Sequence, residues 1–270
     1  MVVLPAGLFT MGSPPGEPGR SSDEGPQHEV RIAKPLAVAQ FPITVDEFKS
    51  FATATGYDAG SACTLMTGGS TGPQSGVSWR DPGFAQTGTH PAVCIDWTDA
   101  HAYAFWLSLK TRKAYRLLSE SEWEYAARGR TDPGTYPRYY FGEPEADFCK
   151  YGNGADQTAR QQIPGISWAL SCSDGYAYTS PVGSYAPNAF GLFDMHGNVW
   201  QWVEDCYHES YNGAPQNGAS WTEDNCESRV RRGGSWWNNA ANLRAAIRRK
   251  DDPASRTNHN GLRLARTLTP

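Results

Sequence analysis

Helical patterning ends near residue 130, so the second half of this chain has to fold almost without helices. Gly and Pro contribute 28 and 19 of the 270 residues, and both favour turns and irregular backbone. Ten Trp, 13 Tyr and 10 Phe offset this, because each can bury a large apolar body. We therefore expect one α+β domain over residues 1–270, with few short strands and much ordered coil held by aromatic anchors.

Three helices are expected in the first half of the chain, each opened by a capping residue. Thr44 and Ser119 both stand three residues before a Glu, which is the capping-box pattern. The helix after Thr44 should end before Gly56, and the helix after Ser119 should end before Gly129. Between them, Thr98 is expected to cap a second helix whose apolar residues recur at helical spacing.

Short strands are expected where apolar and polar residues alternate between turn signals. Residues 2–13 are typical of a strand, a turn and a second strand, and residues 28–32 alternate as a half-buried strand should. Residues 115–118 are also predicted to be extended, and residues 199–203 stand apart from the loop that follows residue 130. Trp79 and Phe84 are the expected anchors of the Gly-, Ser- and Thr-rich stretch before the second helix. No internal repeat or low-complexity linker divides the chain, which favours a single domain.

The charge and hydropathy of the chain argue against two kinds of partner. A net charge of −4 gives no support for nucleic-acid binding. No apolar run approaches the ~18–20 residues that a membrane-spanning helix needs, so no membrane span is expected. Residues 1–5 lack the regions of a signal peptide, which leaves a cytosolic protein or one whose leader was removed.

The six cysteines fall into sequence-local pairs: Cys63 and Cys94, Cys149 and Cys172, Cys206 and Cys226. None shows the C-x-x-C spacing of zinc or redox motifs. An even number in a loop-rich chain favours disulfides, with six buried thiols as the alternative. Because disulfides persist in oxidising compartments, a periplasmic or secreted location is expected. The sequence leaves the disulfide connectivity and the oligomeric state open.

Several short sequence blocks follow one another along nearly the whole chain, and both their residues and their order matter for the comparison with a known family. They are Pro5–Gly7 with Met11–Ser13, His90–Trp97, Glu122–Gly129, Asn188–Met195, Gly197–Trp200, Arg232–Trp236 and Gly261–Arg263. In this order the blocks resemble the formylglycine-generating enzymes, also called sulfatase-modifying factors. The resemblance implies a variant of the C-type lectin fold.

The resemblance also implies one or two calcium ions, which would hold together coil that lacks regular structure. The family pattern for a first calcium set matches the side chains of Asn153 and Asp174 and the carbonyls of Gly154 and Tyr176. Such amide, carboxylate and carbonyl oxygens are the ligands that Ca²⁺ takes in proteins.

A second calcium set would match the side chains of Asp194 and Gln201 and the carbonyls of Gly197 and Val199. The family usually has Glu where this chain has Gln201. The amide oxygen can still coordinate calcium, but one formal charge is lost. A hydrogen-bonded turn without metal is therefore the alternative for this second set.

Residues 229–266 form what we call the closing segment, which in catalytic family members carries a cysteine pair. That pair binds copper(I) and oxidises a substrate cysteine to formylglycine. The resemblance places Asn238 at the first cysteine position and the second position close to Ala240–Leu243, and no Cys follows Cys226. Soft Cu(I) needs thiolate ligands, so we expect neither copper nor formylglycine generation.

The closing segment is rich in Asn and Arg and contains two adjacent Trp, a composition that suits a binding surface. Trp supplies rigid aromatic area and Asn supplies adaptable hydrogen bonds, as in many binding loops. We predict that a peptide, a protein or a small-molecule ligand contacts Trp237, Asn238, Asn239, Asn242, Arg248, Asn258, His259 and Asn260. The segment also resembles the variable regions of ligand-binding lectin-fold proteins that are diversified by retroelements.

Two alternatives for the closing segment stay open. In one, its arginines brace loops by pairing with carboxylates and carbonyls. In the other, it forms a cysteine-independent oxidoreductase pocket, resembling the periplasmic family members that mature pyoverdine siderophores. The substrate would then be a peptide or a peptide-derived metabolite. The sequence shows no nucleophile–base pair, so no catalytic residue is assigned.

Overall fold

The computed structural model describes residues 1–66, 72–130, 134, 136–143, 145–223 and 226–268, and two four-stranded sheets carry their framework. The helices are α1 Val45–Thr55, α2 Trp97–Thr111, α3 Glu120–Arg128 and α4 Gln157–Gln162. The strands are β1 Val2–Leu4, β2 Gly7–Met11, β3 His28–Ile32, β4 Leu36–Val38, β5 Ala62–Thr64, β6 Pro73–Ser75, β7 Tyr115–Leu117, β8 Trp200–Cys206, β9 Arg229–Arg232, β10 Arg248–Asp251, β11 Asn260–Leu262 and β12 Leu264–Thr267. Most of the remaining backbone is irregular, which confirms the prediction of a loop-rich α+β fold.

The first sheet has the order β1-β4-β12-β7, so it joins the beginning of the chain to its end. In its centre, β12 pairs with both β4 and β7, and Ala265 lies opposite Val38 on one side and Arg116 on the other. The predicted strand–turn–strand at residues 2–13 does form two strands, but they join different sheets. β1 pairs with β4, whereas β2 pairs with β3.

The second sheet has the order β10-β9-β8-β11 and is built mainly from the closing segment. β9 is antiparallel to both β8 and β10, and β11 runs parallel to β8 with Asn260 opposite Trp200. This sheet brings β9 and β11 to the two sides of β8, although residues 233–259 separate them in the chain.

The predicted caps of α1 and α3 are confirmed, and the predicted cap of α2 is wrong. Thr44 and Ser119 each form a capping box, and α3 ends at Gly129 in the left-handed conformation. α2 is capped by Asp96, whose side chain accepts from the backbone N–H of Asp99 at 2.7 Å, instead of by Thr98. The side chain of Asp99 in turn accepts from the backbone N–H of Asp96 at 3.0 Å. The pair therefore satisfies two backbone N–H donors, those of Asp96 and Asp99, which a cap at Thr98 would leave unpaired.

Four buried arginines tie the closing segment to the rest of the molecule. All four arginines are fully buried, and three of them pair with buried carboxylates. The pairs are Arg232 with Glu124, Arg244 with Glu17 and Glu24, and Arg248 with Glu120. The fourth, Arg263, donates instead to backbone carbonyls and an amide. The bracing role considered for the segment's arginines therefore holds for these four.

The six cysteines form three disulfides, Cys63–Cys94, Cys149–Cys172 and Cys206–Cys226, which confirms the prediction of disulfides. The bonded residues are 20 to 31 positions apart in the chain. Among the described residues, no helix is both long enough and apolar enough to cross a membrane.

Candidate functional site

The turn after β9 fixes where the middle of the closing segment lies. Gly233 and Gly234 both have positive φ angles, of +99° and +74°. A Cβ atom on Gly234 would approach the carbonyl oxygen of Asn242 to 2.3 Å, so no larger residue fits there. The turn leads directly into Ser235 and Trp236, which are buried, and then into partly exposed residues at 237–239.

Neither Asn238 nor the stretch Ala240–Leu243, where the resemblance places the two copper ligands, provides a thiol. Asn238 turns its Oδ1 inward, where it accepts from the N–H and the hydroxyl of Ser235 at 3.0 and 2.8 Å. Leu243 is fully buried in an apolar cluster with Tyr139 and Phe148. Neither residue offers the soft sulfur ligand that Cu(I) requires, so the residues present do not fit a copper centre.

Beside Asn238 lies a row of five aromatic rings that we call the aromatic platform: Phe84, Trp168, Tyr178, Trp236 and Trp237. Phe84 stacks on Tyr178 at 4.6 Å, and Trp236 meets both rings edge-on at 5.5 and 5.0 Å. Trp237 contacts Trp236 at 5.7 Å and Trp168 at 5.4 Å. Trp236 is fully buried, while the other four rings are partly exposed, Trp168 the most at 38%. The platform is thus a rigid aromatic surface with a buried base.

Two asparagines form a polar rim next to the platform. Asn239 caps the short 3₁₀ segment at residues 240–242, where its Oδ1 accepts from the side-chain amide of Asn242 at 3.0 Å. Asn242 in turn accepts from Arg249 at 2.6 Å. Both asparagines are partly exposed. Together with Trp237 and Asn238, they are the predicted ligand contacts that the structure brings to one place.

The other predicted ligand contacts lie deeper. Asn258 is fully buried, accepts from the N–H of Met66 at 3.0 Å and supports Trp236, whose indole N–H donates to its carbonyl at 3.2 Å. His259 and Asn260 turn their side chains toward Arg231. Burial and the charge of Arg231 lower the pKa of His259 well below its usual value.

Arg248 does not join this group. Its guanidinium is fully buried and donates to both oxygens of Glu120, at 2.9 and 2.8 Å, and to the backbone carbonyls of Asp23 and His208. The guanidinium is therefore fully used in hydrogen bonds within the protein, on the face of the second sheet that packs against α3. The structure gives Arg248 a bracing role and places it away from the platform.

The first predicted calcium set fits an oxygen-ligated cation. Asn153 is fully buried, and its Nδ2 donates to the carbonyl of Tyr178 at 2.8 Å, while its Oδ1 has no partner among the described residues. Asp174 accepts from the N–H of Tyr176 at 2.7 Å and from the hydroxyl of Tyr185 at 2.9 Å. Burial, followed by the charge of Asp156, raises the pKa of Asp174 to about 7. An unpaired acceptor and a partly buried carboxylate are what a bound Ca²⁺ would use.

The neighbouring chain segments hold this first set in place. Asp156, the cap of α4, accepts from the N–H of Asp174 at 2.6 Å. The disulfide between Cys149 and Cys172 ties the same two segments together. A Cβ on Gly154 would come within 2.5 Å of Leu243, so its backbone is packed against the closing segment. In the described part of the chain no three His, Cys, Asp or Glu residues cluster as a metal site, so amides and carbonyls would have to supply the remaining ligands.

The second predicted calcium set does not fit a cation. The side-chain oxygen of Gln201, Oε1, accepts from the indole N–H of Trp123 and from Nε of Arg263, both at 2.9 Å. Its Nε2 donates to the carbonyl of Asp194 at 2.8 Å, and the carbonyl of Gly197 accepts from the Val199 N–H at 2.9 Å. Both lone pairs of the amide oxygen are used by buried donors. Calcium could bind Gln201 only by leaving one of those donors unpaired.

Sequence reasoning missed several members of this site. Trp168 and Tyr178 lie in irregular loops whose spacing carries no signal, so only the fold brings them beside Trp237. Phe84 was expected to anchor its own stretch, and its contact with Trp236 was not foreseen. Arg231 belongs to the arginine-rich start of the closing segment, and its contact with His259 depends on the pairing of β9, β8 and β11.

Comparison with known proteins agrees with this architecture. A family model described as a sulfatase-modifying factor enzyme 1-like domain matches residues 1–268. The formylglycine-generating enzyme of Streptomyces coelicolor is 32% identical over 292 residues, which cover 98% of this chain and 88% of that protein. A Bos taurus protein named inactive C-alpha-formylglycine-generating enzyme 2 is 30% identical, with 98% of this chain and 87% of that protein covered.

Among solved structures, that of PvdO from Pseudomonas aeruginosa superimposes with a TM-score of 0.80 at 41% sequence identity. The match covers 98% of this chain and 93% of PvdO. The ordered sequence blocks, the two sheets and these similarities agree along nearly the full length. The chain belongs to the family of sulfatase-modifying factor enzyme 1-like proteins.

Proposed function

We propose that this protein binds a peptide or a small ligand on the aromatic platform and its Asn-rich rim, and that it does not generate formylglycine. The observation that carries the proposal is the partly exposed platform directly beside Asn238. The catalytic family members hold their copper-binding cysteine at the position of Asn238, so the ligand would occupy the place where their substrate cysteine reacts. Rigid aromatic rings provide contact area at a low entropic cost.

Three further observations support the loss of formylglycine chemistry. Asn238 and Leu243 stand at or near the copper positions, and all six cysteines are engaged in disulfides. A relative that is 30% identical is itself named as inactive. The family frame is therefore compatible with members that have kept the fold without the activity.

The binding proposal is tested with a panel of capped tripeptides that each contain one aromatic residue. Titrations followed by tryptophan fluorescence should saturate, and Trp237→Ala should weaken binding by at least about tenfold, since buried interface tryptophans often contribute this much. Phe105→Ala is the matched control, because Phe105 is 66% exposed on α2 and is not part of the platform. Equal binding by wild type and Trp237→Ala would refute the proposal.

An oxidoreductase acting on a peptide or a peptide-derived metabolite is the second candidate. The observation that favours it is the 41% identity to PvdO, which exceeds the 32% identity to the formylglycine-generating enzyme of S. coelicolor. Oxygen uptake measured with candidate peptides, together with elemental analysis of the purified protein, separates the candidates. Substrate-dependent oxygen uptake that Trp237→Ala abolishes would support this second function, and its absence across the panel would count against it.

We further propose that one calcium ion binds at the first set and that the protein works in the periplasm or outside the cell. The unpaired Oδ1 of Asn153 and the partly buried carboxylate of Asp174 support the calcium ion. The three disulfides support an oxidising compartment. Expression with and without an oxidising environment, followed by mass spectrometry for thiols, tests the location.

A further inference from the structure

One face of the second sheet places two arginines and one carboxylate side by side. The register pairs Arg231 of β9 with Arg249 of β10, and Asp251 lies two residues further along β10. Because side chains alternate between the faces of a sheet, these three share one face. Arg231 pairs with Asp251 at 3.2 Å, whereas no ion pair among the described residues includes Arg249, which donates to the amide of Asn242. The three residues together carry one net positive charge.

Arg231 also reaches across the sheet to the start of β11. Its Nη1 donates to Nε2 of His259 at 3.3 Å and to Oδ1 of Asn260. A guanidinium can only donate, so Nε2 has to accept, and the proton of the neutral imidazole remains on Nδ1. The aromatic rings of Trp200 and Trp202 lie beneath the guanidinium, at 5.6 and 5.7 Å from their centroids. We call Arg231, His259 and Asn260 the donor cluster.

The donor cluster contains buried N–H groups that donate to no described atom. They are Nε of Arg231, Nδ1 of His259 and Nδ2 of Asn260. The hydroxyl of Thr257, two residues before His259, is also buried without a partner. Buried polar groups in folded proteins almost always have partners. Since the unpaired nitrogen atoms here are all donors, the group that completes the cluster has to be an acceptor.

We propose that the donor cluster binds a carboxylate of the ligand, an inference that rests on the binding function proposed for the aromatic platform. A carboxylate only accepts hydrogen bonds, and guanidinium and amide donors recognise its two oxygens. Its single negative charge balances the single net positive charge of Arg231, Arg249 and Asp251. A phosphate monoester carries up to two negative charges and would exceed that balance, and a metal cation would meet donors where it needs acceptors.

A hydrogen bond links the buried base of the platform to the residue that precedes the cluster. Trp236 of the platform donates to the carbonyl of Asn258, which directly precedes His259. Arg249 is exposed and the side chain of Asp251 is 24% exposed, so the ligand's carboxylate would approach the buried donors from the β10 side. The proposed ligand class is therefore a molecule that carries an apolar or aromatic group and a free carboxylate, such as a peptide with its C-terminus or an acidic side chain.

Two probes that differ in one group test this inference on the full chain: N-acetyl-tryptophan, which has a carboxylate, and N-acetyl-tryptophanamide, which has none. NMR titrations should show at least about tenfold tighter binding of the carboxylate probe, as charge-assisted hydrogen bonds would give. Arg231→Gln should bring the two dissociation constants within about twofold of each other. Arg31→Gln, which removes an exposed arginine on β3, is the control and should leave the ratio unchanged.

Because Arg231 is largely buried, Arg249→Gln at an exposed position serves as a second variant, and it should reduce the ratio by about threefold. Equal binding of the two probes to the wild-type chain would overturn the carboxylate inference. If Trp237→Ala then weakens both probes alike, ligand binding on the platform still stands. Absence of binding by either probe would overturn the inference together with the platform proposal.

Discussion

At the scale of single residues, Glu124 shows how buried charges fix the closing segment to α3. Burial alone would raise the pKa of Glu124, but the charges of Arg128 and Arg232 outweigh burial and hold its pKa below the usual value. Arg128 lies at 2.7 Å and Arg232 is also in direct contact. The carboxylate is thus the shared partner of one arginine from α3 and one from β9.

Glu124→Gln is expected to lower the free energy of unfolding by about 3–5 kcal/mol, because removing one member of a buried ion pair leaves charges unpaired. Urea denaturation followed by circular dichroism measures the change. Glu29→Gln, at an exposed position of β3, is the control and should alter stability by less than about 0.5 kcal/mol. A loss of similar size in both variants would show that the pair contributes no special stability.

Asp96 provides a residue whose titration should be visible in the stability of the fold. Burial, followed by the charge of Asp99, raises its pKa to about 6, against 3.8 for an unperturbed side chain. A carboxyl whose pKa is higher in the folded state stabilises the fold fully below its unfolded pKa, and this contribution is lost as the pH rises through the folded pKa. Between pH 4 and 6, wild type should therefore lose stability relative to Asp96→Asn. Parallel stability curves for the two proteins across that window would contradict this assignment.

At the scale of secondary-structure elements, capping decides where the helices begin. Both Thr98 and Asp96 have side chains that can cap, so local preference alone does not choose between them. Asp96 is the cap because Asp99 stands three residues later and closes a reciprocal pair of hydrogen bonds. Arg256 then pairs with both carboxylates, at 2.5 Å to Asp96 and 2.9 Å to Asp99, and secures the loop before β11 to α2. That second contact comes from a part of the chain 157 residues away from Asp99.

The capping box of α1 is expected to contribute measurably to stability. Thr44→Ala removes the acceptor for the N–H of Glu47 and should cost about 1 kcal/mol in the free energy of unfolding. Thr53→Ala, on the exposed side of the same helix, is the matched control and should change stability by only a few tenths of a kcal/mol, since alanine has the higher helix propensity. Chemical denaturation of both variants distinguishes the cap from a general effect of replacing threonine.

At the scale of the whole molecule, the fold relies on cross-links because regular structure is sparse. Three disulfides close loops, and four buried arginines join the closing segment to distant elements. A calcium ion at the first set would act in the same way, by joining the segment around Asn153 to the segment around Asp174.

Chelation of calcium is accordingly expected to lower the melting temperature. An ion present at 100 times its dissociation constant stabilises a fold by about 2.7 kcal/mol, so EDTA should shift the transition by several degrees. Asn153→Ala should abolish the response to calcium, whereas Asn212→Ala, at an exposed position, should keep it. Elemental analysis should give one calcium per chain. Two calcium ions per chain would show that Gln201 also coordinates. If the protein contains no calcium, the proposal of a calcium ion at the first set is wrong.

Particular residues show how far the sequence could predict this molecule. The α3 boundaries and the caps of α1 and α3 follow from local patterns, because each capping box is contained within four residues. The strand β4 was missed because three residues carry too little periodicity. α4 was missed for the same reason, since it has only six residues.

What the sequence by itself determined is the family, the loop-rich α+β class and the absence of thiols after Cys226, because residue identities and their order are enough to establish these. It favoured disulfides but left their connectivity open. Only the tertiary structure decided which predicted ligand contacts lie together. It separated Arg248 from Asn239, joined Trp168 and Phe84 to the platform, and engaged Gln201 with Trp123 and Arg263. The physical reason is that these contacts depend on the register of β8, β9 and β11 and on the paths of irregular loops, which no local pattern in the chain encodes.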